Sequence, residues 1–116
     1  MIKSHKELIV WQKSMDLVTR VYEITNRFPK EEIFGLSAQM RRSAISIPSN
    51  IAEGRCRGTK KDYVHFLRVA AGSTAELETQ VIISRNLKFI SEIEFNILNE
   101  FISEVTKMLN SMIRKL

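Results

Sequence analysis

Cysteine is almost missing from this chain. Cys56 stands alone among 116 residues, so no intrachain disulfide can form, and a reducing compartment is the natural setting. Glycine and proline are scarce as well, with four of one and two of the other. That leaves little material for turns and favours long helices. No apolar run reaches the roughly 20 residues of a membrane-spanning helix, so no membrane association is expected. The opening stretch Met1 to Glu7 lacks the apolar core of a signal peptide, which makes the cytoplasm the expected location. No stretch of useful length alternates with period two, so strands are not expected.

What is present is apolar residues at 44% and a net charge of +5. The length suits one domain over residues 1–116, with a single core that needs no staples. The charge is not spread evenly. Residues 1–40 and 69–116 nearly cancel internally. Residues 41–68 hold Arg41, Arg42, Arg55, Arg57, Lys60, Lys61 and Arg68 against Glu53 and Asp62, and so carry the whole excess. A focus of this kind favours polyanions.

Four amphipathic stretches follow one another. The first opens at Ser4, in a capping-box pattern with Glu7, and its 3–4 spacing predicts a seam of Leu8, Trp11, Met15, Val18 and Tyr22. Phe28-Pro29 closes it. The second is predicted from about Leu36 to Glu53, with Met40, Ala44, Ile47 and Ile51 turned inward and Gly54 as its stop. Pro48 falls inside it; an interior proline costs about 3 kcal/mol and is expected to kink the helix. A polar stripe, Gln39, Arg42, Ser46, Ser49 and Glu53, runs beside the apolar one. Arg55 to Gly58 then reads as a basic loop.

The third helix opens at Thr59 and carries Tyr63, Phe66, Ala70, Leu77, Val81 and Ser84 along one line. Its small-residue run 70–75 predicts a tight helix crossing, and Asn86 to Phe89 a turn. The fourth begins at Ser91 with Glu94 as a capping box, and its seam is Leu98, Ile102, Val105, Leu109 and Met112. Short connections between long helices predict an all-α, antiparallel up-down-up-down four-helix bundle.

Catalytic and metal constellations do not assemble. A di-iron bundle needs two Glu-x-x-His pairs; the one related spacing is Asp62 to His65, and the only other histidine is His5. Asp62 suits the first turn of a helix. Arg55 and Arg57 flank Cys56, but no oxyanion-hole motif accompanies it, and a plain, partly exposed thiol is expected. There is no Gly-rich phosphate loop and no cofactor motif. The Arg-then-His spacing of small helical nucleases of the HEPN type is absent: Arg57 and Lys60 stand at the wrong distances from His65, and Arg68 follows it. Trp11, Tyr22, Phe66 and Phe101 fall near helical seams, where packing explains them better than base stacking. An enzyme is therefore not expected.

Four segments carry a family resemblance: LIVWQKSMDLV at 8–18, FPKEEIFGL at 28–36, QMRRSAISIPSNIAEG at 39–54 and FLRVAAGSTAELETQ at 66–80. They resemble the four-helix-bundle proteins encoded in intervening sequences of bacterial 23S ribosomal RNA genes. A relative of that family is the accessory variability protein of diversity-generating retroelements, a basic pentameric bundle that binds nucleic acid and a reverse transcriptase. The resemblance implies a non-enzymatic bundle without cofactors, assembled as a homo-oligomer, with a pentamer expected. It places Arg41, Arg42, Ser46, Asn50, Glu53, Glu76 and Glu78 on the family's polar pattern. This chain departs from many members in having Ala71, not a basic residue, before Gly72, which argues against an anion grip there.

Two functions from different classes follow. One is a nucleic-acid-binding accessory protein that meets RNA or DNA through Arg55, Arg57, Lys60, Lys61 and Arg68, with little sequence discrimination. The alternative is a scaffold for a protein partner. A cyclic oligomer joins two different faces of each subunit. Arg41 or Arg42 is therefore expected to reach Glu76 or Glu78, within or between subunits, and the polar residues of helix two, with Glu76 and Glu78, to line the subunit interface.

Overall fold

The computed structural model describes residues 4–116; Met1 to Lys3, the first part of the N-terminal stretch read above, lie outside them. Four helices make up almost all of it: α1 (Ile9–Thr25), α2 (Leu36–Arg57), α3 (Lys60–Asn86) and α4 (Glu92–Lys115). No strand occurs among the described residues. Each helix packs on its chain neighbours, and α1 closes the ring against α4. Across the α1–α4 and α2–α3 contacts, residue pairs run in opposite chain order. Lys13 meets Glu104 while Arg27 meets Glu94. Met40 meets Ser84 while Ser46 meets Ser73. The molecule is a four-helix bundle 43 Å long and 24 × 19 Å across.

The inward seams of α2 and α4 are those the spacing predicts. Met40, Ala44, Ile47 and Ile51 are fully buried, as are Leu98, Val105 and Leu109, with Ile102 almost so. From α3 come Leu67, Ala70, Leu77 and Val81, with Tyr63 packed at the edge of the core. Ser91 and Glu94 form both halves of the predicted capping box, and Thr59 Oγ1 accepts from the Asp62 amide at the start of α3.

Helix α1 differs from its predicted seam. The buried residues are Val10, Ser14, Leu17, Val21, Ile24 and, at the last position, Thr25; Met15 and Tyr22 are exposed, and Leu8, Trp11 and Val18 flank the core. Both sets keep the 3–4 spacing, but they lie about 100° apart around the helix. The apolar arc of α1 is wider than one seam, and the aliphatic set takes the centre. Ser4 caps a single 3-10 turn, His5–Glu7, and not α1 itself. Extended Leu8 separates the turn from the helix.

Helix α2 continues past Gly54 to Arg57. The residue that ends it is Gly58, at φ 83°, the left-handed geometry that glycine adopts without strain. Arg55 to Arg57 are therefore helical, and the connection to α3 shrinks to Gly58 and Thr59. Gly54 has another use. A Cβ there would lie 2.8 Å from Cβ of Phe66 and 3.3 Å from Cδ1 of Tyr63, so α2 and α3 approach closely because residue 54 has no side chain. Within the small-residue run 70–75, Ala70, Ser73 and Thr74 are buried and Ser73 meets Ser46 of α2, whereas Gly72 faces open space and a methyl group placed there would meet nothing within 4 Å. Pro48 is buried inside α2.

Candidate nucleic-acid interface

The short turn between α2 and α3 puts four predicted contact residues together. Arg55 and Arg57 sit on the last turn of α2, and Lys60 and Lys61 on the first turn of α3. Arg57, Lys60 and Lys61 are exposed and Arg55 is half-buried. Arg68 is exposed two turns further along α3. It follows Lys61 and His65 at i+7 and i+3, so the three share one helix face. The turn has a small polar cleft of about 120 Å³ lined by Gly54, Arg55, Gly58, Thr59, Lys60 and Tyr63. Burial pushes the Tyr63 phenol above its ordinary value, and the nearby charge of Arg55 works against that.

Arg57 is held in place. Its Nε donates to Glu53 Oε2 at 2.8 Å, one helical turn back, and its guanidinium lies 5.1 Å from the Phe66 ring centre. The pair offsets part of the Arg57 charge and keeps its side chain over α3. Glu53 is thereby occupied inside the protomer.

The fold adds cations that sequence proximity could not show. Cys56 Sγ lies 4.0 Å from Nδ1 of His5, which brings the N-terminal turn and Lys6 to the end of the bundle where α2 stops. The start of α1 faces Lys107, Met108, Ser111 and Met112, so the last turn of α4, with Arg114 and Lys115, reaches the same end. Arg114 and Lys115 are exposed. Their sequence signal was only the usual preference for positive side chains at a helix C-terminus. Acidic residues at this end are Glu7, Glu53 and Asp62.

Arg41 and Arg42 lie elsewhere. Helix rise puts Arg42 about 22 Å from Arg57 along α2, toward the other end. The basic segment read from the sequence is thus split in space. Arg41 Nε donates to Thr25 Oγ1 at 2.9 Å, and its guanidinium stacks 4.6 Å from the Tyr22 ring centre. Neither arginine forms an ion pair with Glu76 or Glu78, which are exposed on α3, so the within-subunit version of that pairing does not occur among the described residues. Ser46 and Asn50 join α2 to α3 inside one chain: Ser46 Oγ and Ser73 Oγ are 2.8 Å apart, and Asn50 Nδ2 donates to the Ser46 carbonyl and hydroxyl.

Among the described residues no group of three or more His, Cys, Asp or Glu gathers to hold a metal ion, and no helix is long and apolar enough to cross a membrane.

No curated protein matches the chain. A solved structure from Bacteroides thetaiotaomicron, described as a protein with unknown function from the S23 ribosomal protein family, superposes with a TM-score of 0.82 at 25% identity. The match covers 90% of this chain and 98% of that one. The family model for the 23S rRNA-intervening sequence protein matches residues 6–111. Nearly every helix described above falls within that match, and the chain belongs to the 23S rRNA-intervening sequence protein family.

Proposed function

We propose that the protein is a non-enzymatic, oligomeric helical bundle that binds RNA or DNA as an accessory factor through the basic end of the bundle. The observation that carries this reading is the convergence of Arg55, Arg57, Lys60 and Lys61 with Lys6, Arg114 and Lys115 at one end. These side chains come from different helices and are held on a rigid frame. A phosphate backbone offers charges at regular intervals, and neutralising them releases counterions. Without an aromatic platform or base-reading helix, the expected binding is sequence-tolerant. Following the family resemblance, the working assembly is a homo-oligomer, with five copies as the expected number. In this reading its compartment is the cytoplasm, where Cys56 stays reduced.

Fluorescence anisotropy with RNA and DNA duplexes and single strands, at two salt concentrations, tests the proposal. Binding should weaken steeply with salt. Replacing Lys60 and Lys61 by Gln should lower the slope of log affinity against log salt by up to about 2. No binding at low salt ends the reading. The second reading is a scaffold whose basic end meets an acidic protein surface, a reverse transcriptase being the partner class the resemblance suggests. Its warrant is the same cluster of cations, Arg55, Arg57, Lys60 and Lys61, which can meet carboxylates on a protein as well as phosphates. Recovery of the partner after nuclease treatment would support it.

A further inference from the structure

We infer that the groove between α1 and α2 is the seat for α3 of a second copy of this chain, in a head-to-tail contact. This rests on the assembly part of the reading above and names the two faces that meet.

The groove is apolar and open. One hollow of about 320 Å³ lies between Trp11, Met15 and Val18 of α1 and Ile45, Pro48 and Ala52 of α2. A second, of about 510 Å³, continues from Ile45 to Tyr22, Ile33, Phe34 and Arg42. Ile45 lines both, so the two hollows are neighbours along the α1–α2 face, a trough in two parts. Phe34 stands at its end, and an aromatic ring left this exposed has most of its apolar surface in water. The trough is where the wide apolar arc of α1 emerges after its aliphatic half has filled the core.

The outer face of α3 has a matching pattern. Val69, Ile83 and Leu87 are exposed apolar residues, and Glu76 lies between Val69 and Ile83 on the same face. Heights along the bundle decide the match. Within one chain Ser46 lies level with Ser73, and Gly54 level with Tyr63 and Phe66. On that scale Arg42 is level with Glu76 to Glu78, and Leu36 at the start of α2, two residues after Phe34, is level with Ile83. Rotation about an axis along the bundle leaves every height unchanged. A neighbour placed by such a rotation therefore brings Glu76 to Arg42, and Ile83 and Leu87 to the end of the trough where Phe34 stands. Apolar, cationic and apolar meets apolar, acidic and apolar. Arg42 and Glu76 are exposed and form no ion pair among the described residues of the protomer, so both are available to a second chain. The two faces differ, as a heterologous contact requires.

Sedimentation velocity and light scattering on the full chain test this, with F34D, R42E, E76R and the double variant R42E/E76R. Circular dichroism checks that each folds, which the exposure of all three positions favours. Wild type should assemble at micromolar concentration. F34D should weaken assembly at least about tenfold, R42E and E76R should each weaken it, and the double swap should recover most of the loss. A wild-type monomer at high concentration overturns the assembly reading and this contact with it. A wild type that assembles, together with single variants that assemble equally well, overturns this contact alone, as does a double swap that recovers nothing. Anisotropy on the same variants reports nucleic-acid binding separately.

Discussion

Replacing Gly54 by Ala should destabilise the protein, against the trend that helix propensity sets. In an exposed helix interior, Gly to Ala stabilises by about 1 kcal/mol. At position 54 the added methyl would lie 2.8 Å from Cβ of Phe66 and 3.4 Å from the Tyr63 carbonyl oxygen. Neither is the tip of a flexible side chain, so α2 and α3 must move apart by about 0.8 Å to restore ordinary contact near 3.6 Å. Forcing an extra methyl into a packed contact of this kind costs about 1–3 kcal/mol, and larger values apply where backbone must shift. Taking the upper part of that range and subtracting the propensity gain leaves a net loss of about 1–2 kcal/mol. For a chain of this length the melting temperature should fall by about 4–8 °C. Gly72 is the internal control. It lies in the interior of α3 with open space around it, so Gly72→Ala should stabilise by about 0.5–1 kcal/mol. Urea titrations followed by far-UV circular dichroism, at one protein concentration, measure both. Equal shifts of the same sign would refute the argument, because they would mean that the α2–α3 approach does not depend on the missing side chain.

Lys88 has φ 64° in the α3–α4 turn, where Phe89 N–H closes back on the Ser84 carbonyl. Lys88→Gly should raise stability by about 0.5–1 kcal/mol in the same titration, since the left-handed region strains any residue with a Cβ. The Ser91 backbone amide holds the Glu94 carboxyl below its usual range, with further help from the Arg27 guanidinium. A depressed carboxyl pKa adds stability that is complete above the unfolded value near 4.5 and is lost as pH falls through the folded value. Glu94→Ala should therefore cost about 1 kcal/mol at pH 7, and its gap from wild type should narrow in unfolding curves taken below about pH 4.5.

The inward faces of α2 and α4 follow the stripes that the spacing selects, and in α4 the neighbouring Phe101, Met108 and Ile113 pack at the edge of the core beside that stripe. Helix α1 was not legible in this way, because Leu17 and Val18, or Val21 and Tyr22, offer adjacent apolar stripes, and spacing alone cannot choose between them. The choice depends on which volumes fit the core surfaces of α2 and α4, and that is tertiary information. Gly54 and Gly58 each fit a helix-ending glycine. The chain runs through the first because Phe66 needs the space, and stops at the second. For the site, the cations of the turn could be read because α2 and α3 are consecutive. Lys6, Arg114 and Lys115 could not, since only the closing of α1 against α4 brings the two chain ends beside the turn. The pairing of Arg57 with Glu53 was visible in principle as an i,i+4 spacing, once Arg55 to Arg57 are known to be helical.

The far end of the bundle has Arg27, Lys30, Arg85 and Lys88 set against Glu31, Glu32, Glu92 and Glu94, and so is nearly neutral. With the surplus cations at the opposite pole of a 43 Å body, the protomer has a permanent electric moment along its long axis. A polyanion at a distance would exert a torque on it and turn it pole-first before any contact forms. Orientation of this kind lifts association rates more than it slows dissociation, and dissolved salt abolishes it within about 10 Å at 0.1 M.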